Sequence, residues 1–271
     1  MARAARVMVV EDDAAVRRLV ELALEDLVLG QPPIELLLCP DGASALQALH
    51  EAPVQLLITD LMMPGLSGYE LLERLVRQPG LRQGARLVVF SAGLDGEARE
   101  RLQGLDVWRL LDKPVSLQAL EDCVRQALQA GPAGSHEEGE LPAPGATETP
   151  QAGFDAAGGL AEGEQAAIEL QFGGDAELFH EFRASCLPQF VQDAQALDAA
   201  LARADLPAVR RQAHSLKGVL ATLGWQREAA QARALEAALQ QADAEQVQTV
   251  WAALRSTLLA RAASAGPAAG Q

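Results

Sequence analysis

The sequence predicts an α/β domain with a doubly wound, five-stranded parallel sheet, followed by an all-α four-helix bundle. Three observations predict it. Five short apolar runs alternate with five amphipathic stretches over residues 1–130, as strand–helix units do in a parallel sheet covered on both faces. From about residue 160 onward, apolar residues recur only at helical spacing, as in a bundle. Between them, residues 131–165 carry seven acidic side chains and no basic one, in a stretch rich in Gly, Pro and Ala. At 271 residues the chain also exceeds what one core usually fills, so two domains are expected.

The strand candidates are RVMVV (6–10), IELLL (34–38), VQLLIT (54–59), ARLVVF (85–90) and VWRLL (107–111), each bounded by turn residues or acids. Amphipathic helices are expected at 14–28, 43–51, 67–77, 95–103 and 116–129. Residues 131–159 have too few large apolar side chains to order themselves and read as a flexible acidic linker. Leu178, Phe179 and Phe182, then Val209, Leu216, Leu220 and Leu223, then Leu235 and Leu239, and finally Val247, Val250, Leu254 and Leu258 mark four or five helices over 160–264. Pro207 stands at a helix start and Gly224 punctuates the pattern. Residues 265–271 are expected to be a disordered tail.

Composition removes several functions. A net charge of −15 with no basic segment argues against nucleic acid as a partner. No apolar stretch approaches the length of a membrane span. Cys39, Cys123 and Cys186 show no paired spacing and read as reduced thiols of a cytoplasmic protein. No glycine-rich ATP-binding pattern is present, so kinase activity is not expected.

Acids collect where the strands end. Glu11, Asp12 and Asp13 follow the first run and Asp60 follows the third. Parallel strands bring these carboxylates to one sheet edge, where ligands bind in such folds. Crowded carboxylates raise one another's pKa unless a cation sits among them, and Mg²⁺ suits an all-oxygen site. Ser91 ends the fourth run and Lys113, before Pro114, ends the fifth, adding a hydroxyl and an ammonium to the same edge. Asp13 alone reads better as a helix N-cap. The chain has 20 arginines but only two lysines, Lys113 and Lys217, one in each predicted domain. A compact ammonium that meets one phosphoryl oxygen is poorly replaced by a planar guanidinium.

With VVEDD, TDLMMPGLSGYELL, VVFSA and DKP in this order and spacing, residues 1–130 resemble a response-regulator receiver domain. The resemblance implies that Asp60 accepts a phosphoryl group. It also implies that Glu11, Asp12, Asp60 and the Met62 backbone carbonyl hold Mg²⁺, that Ser91 bonds a phosphoryl oxygen, and that Lys113 pairs with the phosphate or Asp60. One position departs from the family, whose members usually carry an aromatic three residues before the lysine. Here it is Leu110, and Trp108, two residues earlier, is expected on the same face of the strand.

In RRQAHSLKGVLATLG, His214, Lys217 and Gly218 share one helix face, with Arg210 beside them. The apolar stripe lies opposite, so an exposed imidazole is expected next to a bare patch at Gly218. Glycine inside a helix costs about 1 kcal/mol relative to alanine, and a gap there would admit another protein's active-site edge. Residues from about 160 to 264 resemble a histidine phosphotransfer domain, a four-helix bundle without kinase activity. The resemblance implies that His214 carries a phosphoryl group and that Lys217 stabilises it, with Arg210 and Gly218 on the docking face. The pair points to a phosphorelay whose partners are a sensor histidine kinase and a downstream response-regulator receiver. Two designs stay open: a relay through Asp60 and His214, or a receiver that gates access to the histidine domain or docks a partner without passing phosphate within the chain.

Overall fold

The computed structural model describes residues 4–30, 33–92, 94, 96–129 and 160–264. The expected linker 131–159 and tail 265–271 lie outside the described residues. The first half runs β1 (Ala5–Val10), α1 (Ala14–Ala23), α2 (Glu25–Leu29), β2 (Ile34–Cys39), α3 (Gly42–Glu51), β3 (Leu56–Thr59), α4 (Gly68–Arg77), α5 (Pro79–Arg82), β4 (Arg86–Ser91), α6 (Gly96–Leu102), β5 (Arg109–Asp112) and α7 (Leu117–Gln129). The five strands form one parallel sheet in the order β2-β1-β3-β4-β5. Chain order reverses beside β1, which opens a crevice at the carboxyl ends of β1 and β3.

Strand residues alternate between two cores. Val7, Val9, Ile58, Val88 and Phe90 face α1 and α7, whereas Met8, Val10, Leu57, Leu87 and Val89 face the other side. Leu110 packs with the second set and Trp108 with the first. The expectation that they share a face is therefore corrected. Trp108 precedes the strand, which begins at Arg109, so strand alternation does not yet govern it, and arginines 86 and 109 stack on its ring. The expected helix 14–28 is also divided, at Leu24, a fully buried residue between α1 and α2.

Local chemistry sets the helix starts. Asp13, Asp41 and Ser67 cap α1, α3 and α4, and Ser67 with Glu70 closes a capping box. The second half is helical: α8 (Leu160–Gln171), α9 (Ala176–Ala202), α10 (Leu206–Thr222), α11 (Gln226–Gln240) and α12 (Ala244–Ser264). Helices α9 to α12 pack each on the next and α12 returns to α9, which gives the four-helix bundle. The shorter α8 is an addition to it. Glu164 on α8 accepts from the Trp225 indole and from Arg183, and Gly163 lies against the Gly224 backbone. Helix α1 packs on α9, so one apolar cluster runs from the sheet into the bundle.

Gly68 fixes the position of Asp60. Its amide donates to the Leu61 carbonyl at 3.1 Å, and a Cβ built on it would lie 1.9 Å from the Asp60 carbonyl oxygen. Gly68→Ala should force that backbone apart and lower stability by about 1–3 kcal/mol, the usual range for overpacking. Urea denaturation of the variant beside wild type measures it.

Candidate functional site

Strand register assembles the site. Val10 pairs with Thr59 and Ser91 with Asp112, so the next residues, Glu11, Asp60 and Lys113, leave the sheet at one edge. The Asp60 amide donates to the Val10 carbonyl and the Lys113 amide to the Ser91 carbonyl, extending the ladder to these positions. Lys113 Nζ stands 2.5 Å from Glu11 Oε2 and 3.0 Å from Asp60 Oδ2, above the Phe90 ring. Asp60 Oδ1 accepts from the Ser91 hydroxyl at 2.6 Å and from the Leu61 and Met62 amides at 2.5 and 3.3 Å.

The charges do not balance. Glu11, Asp12 and Asp60 each offer an oxygen, all within 4.8 Å of one another. Burial raises the Asp60 carboxyl, but Lys113, the Ser91 hydrogen bond and nearby His214 outweigh it and hold it below the usual carboxylate range. Burial likewise raises Glu11, against Lys113, and the charges of Asp60 and Asp13 add to the rise. Burial, with the charge of Asp60, pushes the Asp12 carboxyl up to about 6. Burial also works against the Lys113 ammonium, but Asp60 and Glu11 outweigh it and keep it charged. With all three carboxylates ionised, one lysine would leave two negative charges over, and a hard divalent cation fits such a donor set. Asp13 stands apart: its Oδ1 caps α1, and its Oδ2 accepts from the Ser215 hydroxyl of α10.

On α10, His214 Nδ1 lies 2.9 Å from Glu236 Oε1, and Lys217 Nζ lies 2.8 Å from Glu236 Oε2. Burial raises the Glu236 carboxyl, but the hydrogen bonds from His214 and Lys217 outweigh it and keep it ionised. An ionised carboxylate only accepts, so Nδ1 carries the hydrogen. Lys217 Nζ also stands 3.4 Å from Nδ1; two donors do not bond, and Glu236 holds both. In the neutral ring the free electron pair is then on Nε2, which is buried without a hydrogen-bond partner.

The expectation of an exposed imidazole is corrected: the side chain of His214 is only 12% exposed. Its helix lies against the sheet edge at Gly218. A Cβ on Gly218 would meet Lys113 Cδ at 3.8 Å and Ala92 Cβ at 4.0 Å. Arg210 remains exposed and lines a cleft of about 420 Å³ with Met62, Met63 and Arg101. Sequence reading brought Glu11, Asp12, Asp60, Ser91 and Lys113 together and placed Lys217 and Gly218 beside His214. It missed Glu236 and Ser215. Glu236 lies 22 residues from His214 on the next helix, where no local spacing reveals it.

Residues 7–125 match the family described as Response regulator receiver domain, and residues 181–265 match the Hpt domain. Sensor histidine kinase GacS of Pseudomonas protegens is 28% identical over 247 residues, which cover 90% of this chain and 25% of GacS. Virulence sensor protein BvgS of Bordetella bronchiseptica is 30% identical over 222 residues, covering 79% of this chain and 16% of BvgS. The chain thus spans a quarter or less of the length of these two curated relatives. Among solved structures, the receiver domain of sensor histidine kinase PA1611 from Pseudomonas aeruginosa PAO1, with magnesium ion coordinated in the active site cleft, is 19% identical. That match has a TM-score of 0.41 and covers 47% of this chain and 99% of the solved one. Among the described residues, no helix is long and apolar enough to cross a membrane.

The raised Asp12 carboxyl sets a pH dependence. Because its folded-state pKa lies above the ordinary value, the folded chain takes up the proton first as pH falls. The group therefore costs stability above about pH 6, and the cost disappears toward about pH 4. In EDTA, Asp12→Asn should be more stable than wild type by about 1–2 kcal/mol at about pH 7.5, with a smaller gain at about pH 5. Thermal melts at the two pH values check the sign.

Proposed function

We propose that this chain, which joins a response regulator receiver domain to an Hpt domain, is a phosphorelay protein in which Asp60 and His214 carry the phosphoryl group. Its two domains, 1–130 and 160–264, receive phosphate from a sensor histidine kinase and pass it to a downstream response-regulator receiver, in the cytoplasm. The observation that carries this reading is the buried Nε2 of His214 without a hydrogen-bond partner, on a helix whose Gly218 lies against Lys113 at the edge that holds Asp60.

The chemistry follows from the side chains. An Asp60 oxygen attacks phosphorus as a nucleophile held below its usual pKa. Ser91 and Lys113, which bond the free carboxylate, then lie within reach of the phosphoryl oxygens. Glu236 keeps the hydrogen on Nδ1 and leaves the Nε2 electron pair free, while Lys217 offsets the added negative charge. Glu11, Asp12, Asp60 and the Met62 carbonyl are the residues that would hold Mg²⁺, since the three carboxylates offer oxygens close enough to share one ion. When bound, the ion supplies positive charge to the phosphoryl oxygens and to the crowded carboxylates.

Two variants test the assignment. With a radiolabelled small phosphodonor and Mg²⁺, Asp60→Asn should lose acid-stable, base-labile incorporation, since an amide is a poor nucleophile. His214→Gln should keep that label on Asp60 and lose all base-stable label. Undiminished incorporation by Asp60→Asn would remove Asp60 from the relay, and onward transfer by His214→Gln would remove His214.

A further inference from the structure

We infer that the cleft between the receiver and the bundle binds a small organic phosphate, a dianionic head on an apolar body, and that this ligand fastens the two domains together. The site stands apart from the Asp60 carboxylate and from His214, and it does not depend on the relay reading. Its walls come from both halves of the chain. Met62 and Met63, in the loop after β3, form the receiver side with Tyr69 of α4 and Arg101 of α6. Leu206, Arg210 and Arg211 of α10 and Leu239 of α11 form the bundle side. The space between them is about 420 Å³. Small-molecule sites occupy roughly 300–1,000 Å³ and favour domain boundaries.

The lining pairs positive charge with apolar surface. Three guanidiniums, of Arg101, Arg210 and Arg211, border this one cleft in a chain of net charge −15. Elsewhere acids take up the arginines: Glu21 and Glu181 hold Arg18, Asp106 holds Arg82, and Glu228 holds Arg261. Arg210 and Arg211 form no ion pair among the described residues. Arg101 stacks 4.0 Å from the centre of the Tyr69 ring, which fixes its guanidinium on the receiver wall. Glu70 adds a negative charge near Arg101, but its carboxylate is engaged by the Ser67 amide and hydroxyl at the start of α4. Guanidinium forks match the paired oxygens of a phosphate. A phosphate monoester brings about −1.5 to −2 charges at neutral pH, enough to engage more than one arginine, which a single carboxylate is not. The apolar part of the lining selects the rest of the ligand. Leu206 is left 52% exposed, and the two methionines offer flexible, polarisable surface that adapts to a ring or an aliphatic body. An inorganic anion would leave that surface wet. Because neither wall holds all three arginines, an occupant adds contacts across the seam and stabilises the arrangement in which α1 lies on α9.

The test is equilibrium binding of 1-naphthyl phosphate to the full chain, followed by naphthyl fluorescence. EDTA is present so that no divalent ion recruits the probe to the acid edge. 1-Naphthol and inorganic phosphate supply the two halves of the probe separately. Each should bind about tenfold or more weakly than the intact probe, because the cleft rewards charge and apolar body together. Arg210→Gln/Arg211→Gln should weaken 1-naphthyl phosphate about tenfold or more, the loss expected for charge-assisted hydrogen bonds. Arg101→Gln, on the opposite wall, and Gln240→Glu, which sets a carboxylate at the cleft, should each weaken it about threefold or more. Arg101, Arg210 and Gln240 are exposed and Arg211 is half-buried, so thermal melts should show each variant folded. The absence of saturable binding would overturn the proposal. So would undiminished binding to the Arg210→Gln/Arg211→Gln chain, or 1-naphthol binding as tightly as its phosphate. Loss in the bundle variant with none in Arg101→Gln would overturn the bridge between domains. None of these outcomes bears on the labelling of Asp60 or His214, so the relay stands or falls separately.

Discussion

Three carboxylates, from the ends of two neighbouring strands, share one ammonium, and much of the chain is built to hold that imbalance in place. Parallel pairing puts Glu11 and Asp60 side by side, and β5 delivers Lys113 between them. The bundle then meets this edge with a histidine rather than with another acid. Asp60 stays ionised although it is only 4% exposed, because Lys113, Ser91 and two backbone amides all reach it. Its neighbours Glu11 and Asp12 have less help and are pushed upward. A site with surplus negative charge recruits a cation, and a phosphoryl group entering it meets donors already in position.

The bundle side mirrors this arrangement with the signs altered. One carboxylate, Glu236, takes both the imidazole and Lys217, so the ring is oriented through Nδ1 while Nε2 is left without a partner. Docking has a cost as well. Asp193 of α9 is pushed up to about 7, mainly by burial and further by Asp13 and Asp12 across the boundary, although the Gln189 hydrogen bond opposes the rise. The α1–α9 packing and the polar bridges at Asp13 and Arg18 offset that repulsion.

The sheet and its edge could be read in advance because both are local signals. A strand buried on both faces is a continuous apolar run, and an acid or serine directly after it marks the carboxyl end. The face of α10 was equally readable, since helical spacing places His214, Lys217 and Gly218 together. What could not be read depends on which helix lies against which. Glu236 belongs to α11, Ser215 finds its acceptor in the other domain, and the imidazole is buried rather than exposed. Trp108 was assigned to the wrong face because period-two reasoning was extended one residue beyond the strand that obeys it. The break at Leu24 and the extra helix α8 are likewise set by tertiary packing.

The arrangement makes one commitment that a single spectrum decides: which nitrogen of His214 bears phosphorus. With Nδ1 bonded to Glu236 and Nε2 without a hydrogen-bond partner, the expected product is phosphohistidine at Nε2 alone. Nitrogen–phosphorus correlation by NMR on the loaded, ¹⁵N-histidine-labelled chain distinguishes the two isomers. A signal from Nε2-phosphohistidine is the predicted result. Phosphorus on Nδ1 would contradict the orientation of the ring and the role of Glu236 in setting it.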